Sequence, residues 1–258
     1  RRCEPEDLKT LDVVVCGAEK LPKELADEFE KKFGVRPIEG YGTTELSPLA
    51  SVNIPPSRSI NNFQVDRKEG SVGRPVPGVT AKVTDLDTGK KLSAGEPGML
   101  WIAGPNVMKG YLHQPEKTAE VIDNGWYKTG DVAFIDEDGF IHITGRMSRF
   151  SKIGGEMVPH IRIEEELEKI AGPSPDGKPH IAVTAVPDEK KGECLIVLHT
   201  KLEKSVDDLR KGLTAGGLPN LFIPSADCFF EVESLPILGT GKLDLRGIKN
   251  LAVEKARP

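Results

Sequence analysis

The chain has 258 residues, 38% of them apolar and 29% charged, which is enough apolar material to close a core and excludes wholesale disorder. Its 35 Lys and Arg face 40 Asp and Glu, a net charge of -5, which argues against a general nucleic-acid binder. No run of about 18 apolar residues occurs, so no membrane-spanning helix is predicted. Cys3, Cys16, Cys194 and Cys228 lie far apart without a CxxC pair, which predicts reduced thiols and no zinc site. The start, Arg1-Arg2-Cys3-Glu4-Pro5, has neither initiator Met nor apolar signal core, as expected of a piece of something longer.

Residues 12–16 form a β-branched apolar run that predicts a buried strand ending at Gly17. Leu25, Phe29 and Phe33 then recur at helical spacing, with Pro22 suited to the first turn and Gly34 to the stop. Residues 35–40 predict a second strand, so the start reads as a parallel α/β unit whose binding loops follow Gly17 and Gly40. Residues 47–70, rich in Pro, Ser and Asn, predict a surface excursion. Strands are predicted at 79–84, 99–103, 132–135 and 140–144, with a turn at Asp136-Glu137-Asp138-Gly139 and a short helix from Pro115. This middle part reads as a small antiparallel sheet or barrel. Beyond it come a helix at 163–170, strands at 180–186 and 194–200, a capped helix from Ser205 and a strand at 229–232. The boundary is expected near Met147 to Ser151.

Four stretches carry chemistry. In Gly40-Tyr41-Gly42-Thr43-Thr44-Glu45, glycines admit a ligand to the backbone, Tyr41 offers a flat face, hydroxyls suit phosphate oxygens and a carboxylate suits Mg²⁺. In Tyr127-Lys128-Thr129-Gly130-Asp131, the Asp suits two ribose hydroxyls, although a plain strand-entry turn has the same texture. Residues 145–156 join a basic cluster to the pair Gly154-Gly155 at the expected boundary. Residues 235–242 form a flexible loop presenting Lys242. A Walker A reading of that loop fails, because Pro236 stands where Gly is needed and Leu243 where a Mg²⁺-binding hydroxyl is needed.

Taken in order, Gly17-Ala18-Glu19, Tyr41 to Glu45, Tyr127 to Asp131, Gly145-Arg146 with Lys152 and Gly155, and Pro236 to Lys242 resemble the acyl-adenylate-forming, AMP-binding superfamily. The run from Ser151 to His160, with Leu238-Gly239-Thr240-Gly241-Lys242, looks most like the acyl-acyl-carrier-protein synthetase part of bacterial 2-acylglycerophosphoethanolamine acyltransferases. The resemblance implies three parts: a parallel α/β remnant at 1–70 and a β-rich subdomain or barrel at 71–146, both from the large domain, and a small mobile α+β domain at 147–258. It implies an ATP-dependent ligase that adenylates a fatty acid and passes the acyl group to a pantetheine thiol, on acyl carrier protein or CoA. Gly17, Ala18, Glu19 and Tyr41 would hold adenine, with Gly42 and Thr43 in the same nucleotide loop. Thr44 would bond the α-phosphate, Glu45 would ligate Mg²⁺, and Asp131 would grip ribose with Arg146 nearby. Lys242 would bridge the carboxylate and the α-phosphate. A hinge at Ser148 would withdraw Lys242 and present Lys152, Gly154 and Gly155 for thiolation. The implied location is cytoplasmic, with the parent at the inner face of a membrane.

Two departures accompany the resemblance. Ser148 replaces the family's acidic hinge residue, and no Ser/Thr/Gly-rich phosphate loop with its Lys precedes Gly17. The chain is therefore expected to be the C-terminal half of such an enzyme and nearly inactive alone. A rival reading is a non-catalytic module that docks a carrier protein or nucleotide, for which Arg146, Arg149, Lys152, His160 and Arg162 form a basic stretch suited to an acidic partner. A dinucleotide oxidoreductase is disfavoured, since no GxGxxG follows the first strand.

Overall fold

The computed structural model describes residues 3–17, 21–59, 65–174, 177–239 and 241–256. The chain divides into two units, Arg1–Thr144 and Gly145–Pro258, each with its own apolar core. Among the described residues, no helix is long and apolar enough to cross a membrane.

The first unit starts with β1 (Val15–Cys16), α1 (Lys23–Phe33) and β2 (Ile38–Gly42), a strand–helix–strand passage with the two strands parallel. Gly34 stops α1 at φ 74°, where its N–H reaches the Glu30 carbonyl. Pro22 is the N-cap, one place ahead of the turn predicted for it. The predicted buried strand at 12–16 is corrected to two residues, and Val15 is 51% exposed because β1 is the outer strand of its sheet. β3 (Leu49–Val52) and β4 (Arg74–Pro75) extend that sheet antiparallel, in the order β1-β2-β3-β4. This corrects the surface excursion expected at 47–70. Ala50 and Ser51 are fully buried, and Asn53 donates to the carbonyls of Glu39 and Ser71 while accepting from the Lys68 N–H. Polar composition is no guide to exposure where each polar group finds backbone to bond. Residues 60–64 of that stretch lie outside the described residues.

A second sheet follows. It comprises β5 (Thr80–Thr84), β6 (Gly98–Ala103), then α2 (Pro115–Val121), β7 (Ile122–Asp123), β8 (Trp126–Ile135) and β9 (Ile141–Arg146). The order is β5-β6-β8-β7 with β9 also on β8, so the β-rich expectation takes the form of an antiparallel sheet. The predicted turn between β8 and β9 forms around Asp136, whose Oδ1 accepts from the Asp138 and Phe140 N–H groups. Leu46, Leu100, Ile102, Tyr127, Ala133 and Ile141 pack under the sheet.

The second unit contains a hairpin, β10 (Phe150–Ile153) and β11 (Glu156–Pro159), then α3 (His160–Ala171), β12 (Ile181–Asp188), β13 (Gly192–His199), α4 (Val206–Ala215), β14 (Phe229–Glu231) and α5 (Leu245–Lys255). β13 is central, antiparallel to β12 and parallel to β14. The uninterrupted apolar runs in β12 and β13 are explained by burial on both faces. Val183, Leu195 and Val197 pack with Ile163 and Leu167 of α3 and Leu209 of α4, whereas Ala182, Ile196 and Leu198 pack with Ile248 and Ala252 of α5. Ser205 caps α4 as predicted, accepting from the Asp208 N–H.

One ion pair ties the entrance of this unit to its core. Arg149, 8% exposed, pairs with Glu164 of α3, and the other Glu164 oxygen accepts the Val183 N–H at 2.6 Å. Removing one partner leaves the other charge buried and unanswered. Arg149→Met is expected to lower stability by about 3–5 kcal/mol in chemical denaturation, and adding Glu164→Gln to recover part of that loss. Strict additivity of the two substitutions would refute a coupled pair.

Candidate functional site

The parallel pairing of β1 and β2 sets the first two sequence motifs side by side. Cys16 lies opposite Glu39, so Gly17 follows next to Gly40, and a Cβ on Gly17 would stand 3.3 Å from the Gly40 carbonyl oxygen. Glu39 also accepts the Leu21 N–H at 3.3 Å, closing the loop after β1. Ala18 and Glu19, expected at the adenine, lie outside the described residues.

Beyond β2 the chain turns sharply. A Cβ on Gly42 would fall 1.7 Å from the Pro48 carbonyl oxygen, so only glycine lets the backbone double back there. Leu46, fully buried, anchors the short turn Thr44–Leu46, which leaves Thr44 exposed and Glu45 half-buried.

Asp131 reaches the same place from β8. The register between β6 and β8 shifts between Met99 and Trp101, and Gly130 at φ 76° takes up the extra length. Thr129 stitches this bulge, donating from Oγ1 to the Leu100 carbonyl and accepting the Asp131 N–H at 3.0 Å. Asp131 is thereby turned inward, 2% exposed, and Tyr41 Oη donates to its Oδ2 at 2.5 Å across 90 residues of sequence. One oxygen of the carboxylate expected to face ribose is thus engaged by the tyrosine expected to face adenine.

A second tyrosine–carboxylate pair adjoins the turn. Tyr111 Oη donates to Glu45 Oε1 at 2.7 Å, while the Glu45 carbonyl accepts the Met108 N–H. Asn106 Nδ2 donates to the carbonyls of Leu46 and Leu49, so residues 106–111 brace the whole turn. Burial, then the Glu45 carboxylate, raises the Tyr111 phenol well above its ordinary range, and the same two causes raise Tyr127. Both phenols therefore stay protonated. The Thr43 hydroxyl lies near Tyr127 yet meets no partner in hydrogen-bond geometry and is buried. Tyr111 went unread in the sequence, since the run Lys109-Gly110-Tyr111-Leu112 has no periodicity and its partner lies 66 residues away.

The remaining candidates belong to the second unit. Arg146 ends β9 and is exposed, and Ser148 is exposed on the single turn Met147–Arg149. Lys152 is exposed on β10, and Gly154 and Gly155 form the two-residue hairpin tip at φ 57° and 90°. The Gly154 N–H bonds the Lys191 carbonyl and the Lys152 N–H bonds the Glu193 carboxylate, so the turn before β13 and the start of that strand hold this hairpin. Lys242 is exposed on a loop expected to be flexible, which is instead closed by an Ile237–Leu243 bridge and by the Leu238 N–H bonding the Lys242 carbonyl. The basic stretch expected to greet an acidic partner is corrected: Arg149 is consumed by Glu164, and His160, 3% exposed, is hydrogen-bonded to Ser151 Oγ at 2.6 Å.

The sequence profile of the AMP-binding enzymes matches residues 2–112. A long-chain-fatty-acid–CoA ligase from Escherichia coli O157:H7 is 34% identical over 221 residues, covering 83% of this chain and 37% of the ligase. The ATP-bound structure of MatB from Rhodopseudomonas palustris matches with a TM-score of 0.72 at 31% identity, over 93% of this chain and 45% of that one. An o-succinylbenzoate CoA synthetase from Bacillus subtilis, solved with the acyl-adenylate intermediate OSB-AMP, matches with a TM-score of 0.72 at 25% identity, over 93% of this chain and 46% of that one. The chain thus spans less than half the length of the relatives it matches.

His160 gives the second unit a pH signature. Burial first, then the charges of Arg149 and Lys249, push its imidazole down to about 3. The folded chain keeps it neutral while the unfolded chain protonates it below about 6.5, so its contribution is present above that pH and is lost as pH falls toward 3. His160→Gln is expected to remove a slope of about 1.4 kcal/mol per pH unit in this window. Urea unfolding at pH 7 and pH 5 measures it, and an unchanged gap between the wild type and the variant would contradict a buried neutral His160.

Proposed function

We propose that this chain is part of an AMP-binding enzyme, the family whose profile matches residues 2–112, and that it carries the nucleotide-holding loops and the catalytic lysine of an ATP-dependent acid–thiol ligase. The observation that supports this most is the Tyr41–Asp131 hydrogen bond, which joins two motifs that would otherwise be separate turns. Tyr41, its ring direction fixed by that bond, is suited to lie against a purine. Asp131 is the carboxylate that would accept from ribose hydroxyls, a group type that offers about four lone-pair sites. The buried Thr43 hydroxyl without a partner is a group that a phosphate oxygen would satisfy, and Thr44 stands exposed beside it.

Among the described residues, no three Asp, Glu, His or Cys side chains gather into a metal cage. A single carboxylate fits Mg²⁺ all the same, since that ion is held through one or two carboxylates together with substrate phosphates. Glu45 is the residue that would hold it, and Tyr111 steadies Glu45 through Oε1. The ion would supply charge to offset phosphate repulsion. The chain's own residues orient the nucleotide, and Lys242 supplies a cation where the acid's carboxylate meets the α-phosphate. Displacement of pyrophosphate gives an acyl-adenylate, and a pantetheine thiol then attacks the acyl carbon and releases AMP.

The acid we favour is a fatty acid, as in the name of the Escherichia coli relative. For the acceptor, the resemblance of residues 151–160 pointed to a carrier protein, but burial of Arg149 and His160 weakens the basic surface it needs. The Escherichia coli and Bacillus subtilis relatives are a CoA ligase and a CoA synthetase by name, so CoA is the acceptor proposed. Residues 147–258 are read as the small domain, with Ser148 in its hinge. A phosphate loop is not found in these 258 residues, so adenylation is expected to need a segment that supplies one.

In a protein joining this chain to such a segment, Lys242→Ala is expected to cut acid-dependent pyrophosphate–ATP exchange by about 100-fold or more, on the scale of losing one stabilising donor in the transition state. Thioester formation from supplied acyl-adenylate is expected to change far less. Equal loss in both half-reactions would reject the role given to Lys242, and parent-like exchange by the 258-residue chain alone would reject the need for a phosphate loop.

A further inference from the structure

Two cysteines that the sequence keeps apart meet in the second unit. Cys194 lies in β13 and Cys228 ends the short turn Ala226–Cys228 just before β14. Because β14 runs parallel beside β13, with Val197 opposite Phe229, the two Sγ atoms come to 3.4 Å across 34 residues. Both are thiols. Their surroundings differ: Cys228 is 7% exposed among Ala182, Leu198, Leu235 and Ile248, whereas Cys194 is half-buried at the margin of the same cluster. Burial, then the neighbouring Cys194, pushes the Cys228 thiol up to about 12. Cys194 is therefore the sulfur that can meet a reagent from solvent, and Cys228 the one placed to resolve the adduct.

We propose that Cys194 and Cys228 form a modification site, a dithiol that closes to an intramolecular disulfide by exchange with low-molecular-weight disulfides. The Cys194 thiolate attacks one sulfur of RSSR, forming a Cys194–SR bond and expelling RS⁻, which takes up a proton as RSH. Cys228 Sγ then loses its proton and attacks Cys194 Sγ, forming the protein disulfide and expelling the second RS⁻. The two protein thiols give up two hydrogens and two electrons, and RSSR becomes two RSH, so no other oxidant is required. The sulfurs must close from 3.4 Å to about 2.05 Å, a movement of roughly 1.4 Å. Leu243, next to Lys242, packs on the same apolar cluster, so the crosslink would form in the floor of the lysine loop.

The test uses the whole 258-residue chain, native, with excess glutathione disulfide, followed by denaturing alkylation and non-reducing peptide mapping. The expected product joins the Cys194 and Cys228 peptides, two hydrogens lighter than the reduced pair, and is reversed by dithiothreitol. A glutathione adduct on Cys194 should precede it in the wild-type time course. Cys228→Ser is expected to stop at that adduct, and Cys194→Ser to leave Cys228 unmodified. Recovery of both residues as free thiols while Cys3 or Cys16 is modified would overturn the proposal, as would a first adduct on Cys228. The wild-type time course decides the matter even if either variant fails to fold.

Discussion

A phenol held by a carboxylate across two elements of one unit is the constraint on which the site depends. Tyr41 and Asp131 are placed by independent local devices, a glycine-only reversal after β2 and a threonine-stitched bulge in β8. Neither device has a reason to exist in a plain sheet, because both interrupt regular pairing. Their result is a part-buried hydrogen bond donated by the Tyr41 hydroxyl to the Asp131 carboxylate. The Tyr111–Glu45 pair repeats the pattern alongside, so two carboxylates are each held by a tyrosine hydroxyl. Such fixed groups suit a ligand with an aromatic base, hydroxyls and anionic oxygens, because little reorganisation remains to be done on binding.

Much of the fold was legible in residue order. The runs in β12 and β13, the spacing of α3, the Ser205 cap and the Asp136 turn are local signals, and they survive because tertiary contacts reinforce them. The short strand β3 was hidden in a stretch rich in Pro, Ser and Asn whose burial depends on partners distant in sequence, such as Glu39 with Asn53. α5 was missed because Gly247 and Asn250 interrupt its pattern, although packing on β12 and β13 overrides that weakness. For the site, the motifs named Tyr41, Glu45 and Asp131, but their bonding, the bracing by Asn106 and Tyr111, and the meeting of Cys194 with Cys228 are long-range facts. No spacing rule within one segment contains them.

The second unit shows how composition misleads about surface charge. Arg149 and His160 read as part of a basic face, yet one is neutralised by Glu164 and the other is kept uncharged by burial. What remains exposed there is Arg146, Lys152 and Arg162. The unit therefore spends part of its polar inventory on its own cohesion, close to the turn that carries Ser148.

The proposed site stands on Tyr41 and Asp131 acting on one nucleotide. A double-mutant cycle on AMP affinity, using Tyr41→Phe, Asp131→Asn and both together in the same chain, puts this to the test. Each substitution is expected to weaken AMP binding, and the pair to be non-additive by about 0.5–3 kcal/mol, as for residues in one hydrogen-bonded network. AMP affinity left unchanged by either substitution, or losses that simply add, would contradict it.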